Sequence, residues 1–161
     1  MNFPRRFLPV LALALAMALL AGCGGKVKRV SAPAASIQQL TVESDGSWTV
    51  DLRLHNYSSM SMRFERVSLA VSVDEHEAGT LEATPAISIG PSAADTVRAT
   101  LRPQPMARLA VADALAGRRA LSYRLQGNVS ATPEEASKPR SFELDARSSL
   151  NPAPGLQGVL R

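Results

Sequence analysis

The segments that decide the fold read WTVDLRL at residues 48–54 and VSLAVSV at residues 67–73. In both, large apolar side chains alternate with polar or smaller ones, and this repeat of two residues is typical of an extended strand. Successive side chains of a strand point to opposite faces of its sheet. Each segment therefore predicts a β-strand with one face in the core and the other towards solvent.

The same alternation recurs on both sides of these two strands. It predicts further strands near residues 37–42, 78–83, 97–101, 121–125 and 142–146. The one window with helical spacing is residues 106–116, where Gly117 suits the C-terminal cap and the spaced positions are Met106, Leu109, Ala110, Asp113 and Ala114. About seven short strands with regular turn signals and one short helix predict an all-β antiparallel sandwich.

The predicted sandwich occupies residues 37–150, because the composition changes on either side of it. Residues 85–92 hold two prolines and predict a loop whose isoleucines, Ile87 and Ile89, lie under the core. Residues 151–161 are rich in proline and glycine, so we expect a loosely held C-terminal tail. Trp48, Tyr123 and Phe142 fall on apolar strand faces and are expected in the core.

The N-terminus has the pattern of an export signal. Arg5 and Arg6 precede 13 apolar or small residues at 8–20, and small residues follow. A helix needs about 20 such residues to cross a bilayer, so a transmembrane helix is the weaker alternative. We therefore predict that residues 1–22 are a signal peptide that is removed from the mature chain.

The end of that signal, Leu20-Ala21-Gly22-Cys23, resembles the lipobox of bacterial lipoproteins. The resemblance implies cleavage between Gly22 and Cys23 and a lipid on the Cys23 thiol. Cys23 is also the single cysteine of the chain, so an ordinary cut would leave a free thiol in an exported protein. Gly24 stands where many lipoproteins retained in the inner membrane have aspartate. This implies an outer-membrane lipoprotein, facing the periplasm, with residues 23–36 as the lipidated cysteine and flexible tether.

The positive charge of the sequence belongs to its N-terminal segment. Beyond Val30 the chain has 13 Lys and Arg against 14 Asp and Glu, a net charge of −1. A nucleic-acid-binding domain would carry a basic surface, so no nucleic-acid partner is expected. Three cations, Lys26, Lys28 and Arg29, lie just after Cys23. They suit anionic lipid headgroups, or they form part of a solvated linker.

Three motifs within residues 37–150 resemble the type-2 late-embryogenesis-abundant (LEA) family, whose domain is also called water stress and hypersensitive response (WHy). They are His55-Asn56-Tyr57 at the end of an early strand, Ile87-Ser88-Ile89-Gly90-Pro91-Ser92, and Tyr123-Arg124-Leu125-Gln126-Gly127. The resemblance implies an immunoglobulin-like or fibronectin-III-like sandwich. It also implies a role in desiccation or stress protection, and it carries over no catalytic residue.

Candidate catalytic and metal-binding groups are few. The two histidines are His55 and His76, and the best metal candidate is Glu75-His76-Glu77. Neighbouring side chains on a strand point to opposite faces, so these three cannot easily converge on one ion. No Gly-x-Ser-x-Gly elbow is present. We expect no enzyme activity, no metal and no cofactor.

The sequence offers one candidate partner-binding patch. Tyr57, Met60, Met62 and Phe64 lie in or beside a predicted loop, where methionine and aromatic side chains can form an adaptable contact surface. The alternative is that they cap one end of the sandwich. The sequence thus predicts a lipid-anchored, non-catalytic binding or protective module of the cell envelope. A structural accessory subunit of an envelope protein or lipid-handling complex is the alternative.

Overall fold

The computed structural model describes residues 28–161. The predicted signal peptide at residues 1–22 and the predicted lipidation site Cys23 lie outside the described residues. The described chain contains nine strands and one helix. In chain order they are β1 (Ala34–Val42), β2 (Trp48–His55), β3 (Met62–Val73), β4 (His76–Ala83), β5 (Ile87–Ile89), β6 (Ala94–Leu101), α1 (Pro105–Gly117), β7 (Leu121–Pro133), β8 (Arg140–Leu150) and β9 (Val159–Leu160).

The strands form two antiparallel sheets. The first has the order β6-β2-β1-β9, and the second has the order β4-β3-β7-β8 with β5 paired to the start of β3. The prediction of an all-β sandwich with one helix is confirmed. The predicted strand count was too low, because β5 and β9 are only three and two residues long and lie in segments rich in proline and glycine.

The core forms where the alternating apolar faces of the two sheets meet. Trp48, Val50, Leu52 and Leu54 of β2 are at most 1% exposed, as the alternation predicts. Tyr123 joins the two sheets, because its hydroxyl on β7 accepts a hydrogen bond of 3.1 Å from the backbone N–H of Ile37 on β1. The phenol is thus buried with its polar end satisfied.

Helix α1 matches the predicted window but presents a different face to the core. Pro105 suits its first turn, where no N–H partner is needed. The buried side chains are Ala107, Val111 and Ala114, whereas Met106 and Leu109 of the predicted stripe are exposed. Apart from Arg108 and Asp113 the helix consists of apolar and small residues, so periodicity alone could not select the packed face. Within residues 28–161 the one helix, α1, is not long and apolar enough to span a membrane.

The helix also ends one residue later than predicted. Arg118, rather than Gly117, adopts the left-handed conformation at the C-terminal cap, with φ of 49°. Its N–H and that of the following residue bond to the last free carbonyls of the helix.

Two further predictions were wrong at the domain boundaries. The C-terminal tail is not loose, because Leu160 pairs with Leu40 on β1 and is fully buried. The predicted tether at residues 23–36 is also part of the fold over much of its length, since β1 begins at Ala34 and the backbone is already bonded at Arg29. Both segments contain proline and glycine and lack the alternation of a strand. Their pairing could not be predicted from the sequence, because the bonds depend on a neighbouring strand rather than on local pattern.

Candidate functional site: the two ends of the sandwich

One end of the sandwich is formed by the loops around Asn56. We call it the N-terminal pole and define it as residues 28–31, 55–61, 90–93 and 134–140. These segments meet because β2 ends and β1, β3 and β6 begin there, with His55 paired to both Ala34 and Ala94. The backbone N–H of Glu134 donates to Ser61 and so attaches the last segment.

Asn56 lies fully buried at the centre of this pole. Its side-chain Nδ2 donates to the carbonyls of Met60, Ile89 and Gly90 at 2.9, 3.0 and 2.9 Å. Its Oδ1 accepts the backbone N–H of Ser58 at 2.9 Å. One amide therefore joins the β2–β3 loop to the segment after β5. The role of Asn56 is structural, because all its polar atoms are used inside the protein.

The first described residues are attached to the same pole. The backbone of Arg29 exchanges hydrogen bonds with Ser59, and that of Ser31 exchanges them with the hydroxyl of Ser58, at distances of 2.7–3.3 Å. Lys28 forms an ion pair with Glu135 in the β7–β8 loop. The chain is thus fixed to the sandwich from residue 28 onward, within five residues of Cys23.

The predicted partner patch does not form as a unit. Tyr57 is 50% exposed and stacks obliquely on His55, with ring centroids 4.0 Å apart, and Met60 is half-buried. Met62 and Phe64, in contrast, are fully buried in β3, so their assignment to a partner surface was wrong.

The cause of this error is a β-bulge between Phe64 and Arg66. The inward positions of β3 run 62, 64 and then 67, so one extra residue interrupts the alternation. The sequence pattern consequently shows only the second part of the strand.

The opposite end of the sandwich carries the exposed apolar surface. We call it the helical pole and define it as α1, the β3–β4 turn at residues 74–75 and the loop at residues 151–158. Among the described residues, three of the four exposed large apolar side chains lie here, namely Met106, Leu109 and Leu156. An open groove of about 770 Å³ runs between the end of α1, at Leu115 and Arg118, and the loop at 151–158.

An ion-pair network connects α1 to the β3–β4 turn. Arg119 donates to Asp74 and to Asp113, at 2.8 Å each, and Ser122 donates to Asp74 through its N–H and its hydroxyl. Burial alone would raise the pKa of Asp74, but the hydrogen bonds from Arg119 and Ser122 outweigh it and hold the pKa below its ordinary value. The charged form of Asp74 therefore stabilises the fold.

The candidate chemical groups are dispersed over the molecule. His55 lies at the N-terminal pole, whereas His76 pairs with Val73 beside the helical pole, so the histidines are at opposite ends. Within residues 28–161 no three His, Cys, Asp or Glu side chains are grouped to hold a metal ion. Glu75, His76 and Glu77 therefore do not form such a group either.

Comparisons with known proteins add structural neighbours only. No family model matches the sequence, and no curated protein matches it. A solution structure of At1g01470 from Arabidopsis thaliana has 10% identity over 81% of this chain and 84% of that one, with a TM-score of 0.47. A solution structure of At2g46140.1, whose name includes the words late embryogenesis abundant, has 12% identity over 92% and 87%, with a TM-score of 0.46. A crystal structure from Archaeoglobus fulgidus has 10% identity over 75% and 97%, with a TM-score of 0.41.

Proposed function

We propose that this protein is a lipid-anchored, non-catalytic β-sandwich module of the bacterial envelope that binds or protects envelope components under desiccation or osmotic stress. The observation that carries the proposal is Leu20-Ala21-Gly22-Cys23 at the end of the apolar segment, with Cys23 the single cysteine of the chain. Gly24 favours the outer membrane and the periplasmic side, by resemblance to other lipoproteins. The stress role rests on the resemblance of the domain to the LEA type-2 family.

The geometry of the domain supports a binding role rather than catalysis. The histidines lie at opposite ends of the sandwich. The buried Asn56 is fully engaged in holding loops together. What the domain offers a partner is its outer surface, above all the loops and the helix at its two poles.

A second candidate, an accessory subunit of an envelope protein or lipid-handling complex, is favoured by one observation. Met106 and Leu109 of α1 and Leu156 of the neighbouring loop are 55%, 62% and 47% exposed. Exposed apolar side chains grouped at one end of a domain are typical of a protein contact surface.

The anchor is tested by labelling growing cells with a palmitate analogue. We expect the wild-type protein to incorporate the label and Cys23→Ala to remain unlabelled and unprocessed, because the thiol is the acceptor. The matched control is Ser31→Ala, which leaves the lipobox intact. Labelling of Cys23→Ala, or its absence from the wild type, would overturn the anchor.

The stress role is tested in a deletion strain under drying, osmotic and detergent stress. We expect the wild-type gene to restore survival and Cys23→Ala to restore it poorly. Full rescue by Cys23→Ala contradicts a role at the membrane. Crosslinking in intact envelopes then separates the two candidates, because one stoichiometric partner indicates an accessory subunit and dispersed contacts indicate a protective module.

A further inference from the structure

We infer that the N-terminal pole is a second membrane contact, which lies against anionic lipid headgroups while the helical pole points away from the anchoring membrane. This inference rests on the proposed lipid anchor at Cys23. It goes further by assigning an orientation to the domain and by naming the residues that face the lipid. The intended occupant of the pole is a bilayer surface rather than a protein.

The orientation follows from where the chain leaves the domain. Arg29 and Ser31 are hydrogen-bonded to the β2–β3 loop, and Lys28 is paired with Glu135. Lys28 lies only five positions after Cys23, and such a segment spans at most about 17 Å. A lipid on Cys23 therefore keeps Lys28, and with it the part of the N-terminal pole around Lys28, within about that distance of the membrane.

The chemistry of the pole suits a headgroup layer. The pole has two carboxylates, Glu134 and Glu135, and a larger number of exposed cations. The four cations are Lys28, Arg29, Lys138 and Arg140. Lysine and arginine near an anionic bilayer are attracted to it within a Debye length of roughly 10 Å. Tyr57, half-exposed at the same pole, belongs to the residue types enriched at membrane interfaces.

The rival arrangement places the helical pole on the membrane through Met106 and Leu109. Strand β3 has 12 residues and runs from one pole to the other, a length of about 40 Å. Because the anchor segment is much shorter, the helical pole can reach the same membrane only if the sandwich lies on one of its sheets. The outward face of the first sheet carries the polar row Thr41, Thr49 and Thr100. That of the second sheet carries the polar row Ser72, Arg124 and Arg147, so neither row offers a bilayer a large apolar side chain.

The test uses the lipidated protein, purified from membranes and reconstituted into vesicles of phosphatidylcholine with phosphatidylglycerol. Mass spectrometry first establishes the lipid on Cys23. A fluorophore is attached at Ser137→Cys on the N-terminal pole or at Ala116→Cys on α1, both exposed positions. Lipids with a quencher on the headgroup are then included. We expect strong quenching at position 137 and none above background at position 116.

The possible outcomes distinguish the orientation of the domain from the proposed lipid anchor at Cys23. Absence of lipid on Cys23 overturns the proposed anchor, and the orientation with it. If the lipid is present but position 116 is quenched as strongly as position 137, or more strongly, the orientation alone is overturned. That second result would favour the rival arrangement.

The contribution of charge is tested with a matched pair of variants. Lys138→Glu with Arg140→Glu reverses two cations at the N-terminal pole, whereas Arg108→Glu with Arg118→Glu reverses two exposed cations at the helical pole. We expect only the first pair to reduce quenching at position 137, and only in vesicles that contain phosphatidylglycerol. Fluorescence of buried Trp48 verifies that each variant is folded. Unchanged quenching in the first pair would overturn the headgroup contact.

Discussion

Replacing Asn56 removes the group that holds the N-terminal pole together. In Asn56→Ala, four backbone groups lose a hydrogen bond, and two of these bonds, to the Ile89 carbonyl and from the Ser58 N–H, lie in buried surroundings. A buried polar group left without a partner costs about 1–3 kcal/mol, so the two together reduce the free energy of unfolding by about 2–6 kcal/mol. That is a large part of the 5–15 kcal/mol of an ordinary domain.

Asn56→Asp distinguishes the hydrogen bonds from simple loss of volume. A carboxylate at this position would face carbonyl oxygens at the 2.9–3.0 Å that now separate them from Nδ2. The charged form is therefore disfavoured, and the pKa of the new carboxyl rises above the value of about 3.9 in the unfolded chain. A raised pKa in the folded state means that stability is retained at low pH and lost as the pH rises. Relative to the wild type, the loss grows by about 1.4 kcal/mol per pH unit above pH ~4, until the folded-state pKa is reached.

Urea unfolding followed by the fluorescence of Trp48 measures both effects. Trp48 is the single tryptophan of the chain and is 1% exposed, so its emission reports loss of the core. The matched control is Asn128→Asp on the exposed side of β7, for which we expect a change within about 0.5 kcal/mol. A loss below about 1 kcal/mol in Asn56→Ala, or a loss in Asn56→Asp that does not change with pH, would refute this role of Asn56.

Three further changes test the core, the ion-pair network and a close backbone contact. Phe64→Ala should reduce the free energy of unfolding in urea by about 3–5 kcal/mol, because Phe64 is fully buried. Tyr57→Ala at the surface should change it little, and equal losses in the two variants would contradict the assignment of Phe64 to the core. Asp74→Asn should destabilise the protein at pH 7, because the lowered pKa of Asp74 means that its charged form stabilises the fold. The difference in thermal unfolding midpoint between variant and wild type should shrink below pH ~4, and a difference that stays constant would contradict the network. Gly127→Ala should lower the unfolding midpoint strongly, since the added Cβ would lie 2.2 Å from the carbonyl oxygen of Ser68, and an unchanged midpoint would disprove that contact.

Several parts of the structure could be predicted from local pattern. The strands around Trp48 and Val67 follow from alternation, because a half-buried strand needs apolar side chains on one face only. The helix at residues 105–117 follows from its spacing and from the proline in its first turn. Such features depend on neighbours in sequence, and the sequence contains all of those neighbours.

The candidate site depended on contacts that no local pattern records. The local sequence predicts only that Asn56 lies in a loop, whereas its hydrogen-bonding partners Ile89 and Gly90 are more than 30 positions away. The bulge after Phe64 concealed the first part of β3, so two core side chains were assigned to a surface.

The two ends of the chain also differ in whether local sequence or tertiary contacts decide their structure. The export and lipidation signal proposed before residue 28 was predicted from local composition and length, because these are the features that define such a signal. The attachment of Arg29 to Ser59 and of Leu160 to β1 was decided only by the tertiary structure. These residues become ordered because hydrogen-bonding partners distant in sequence lie beside them, and only the folded sandwich brings those partners together.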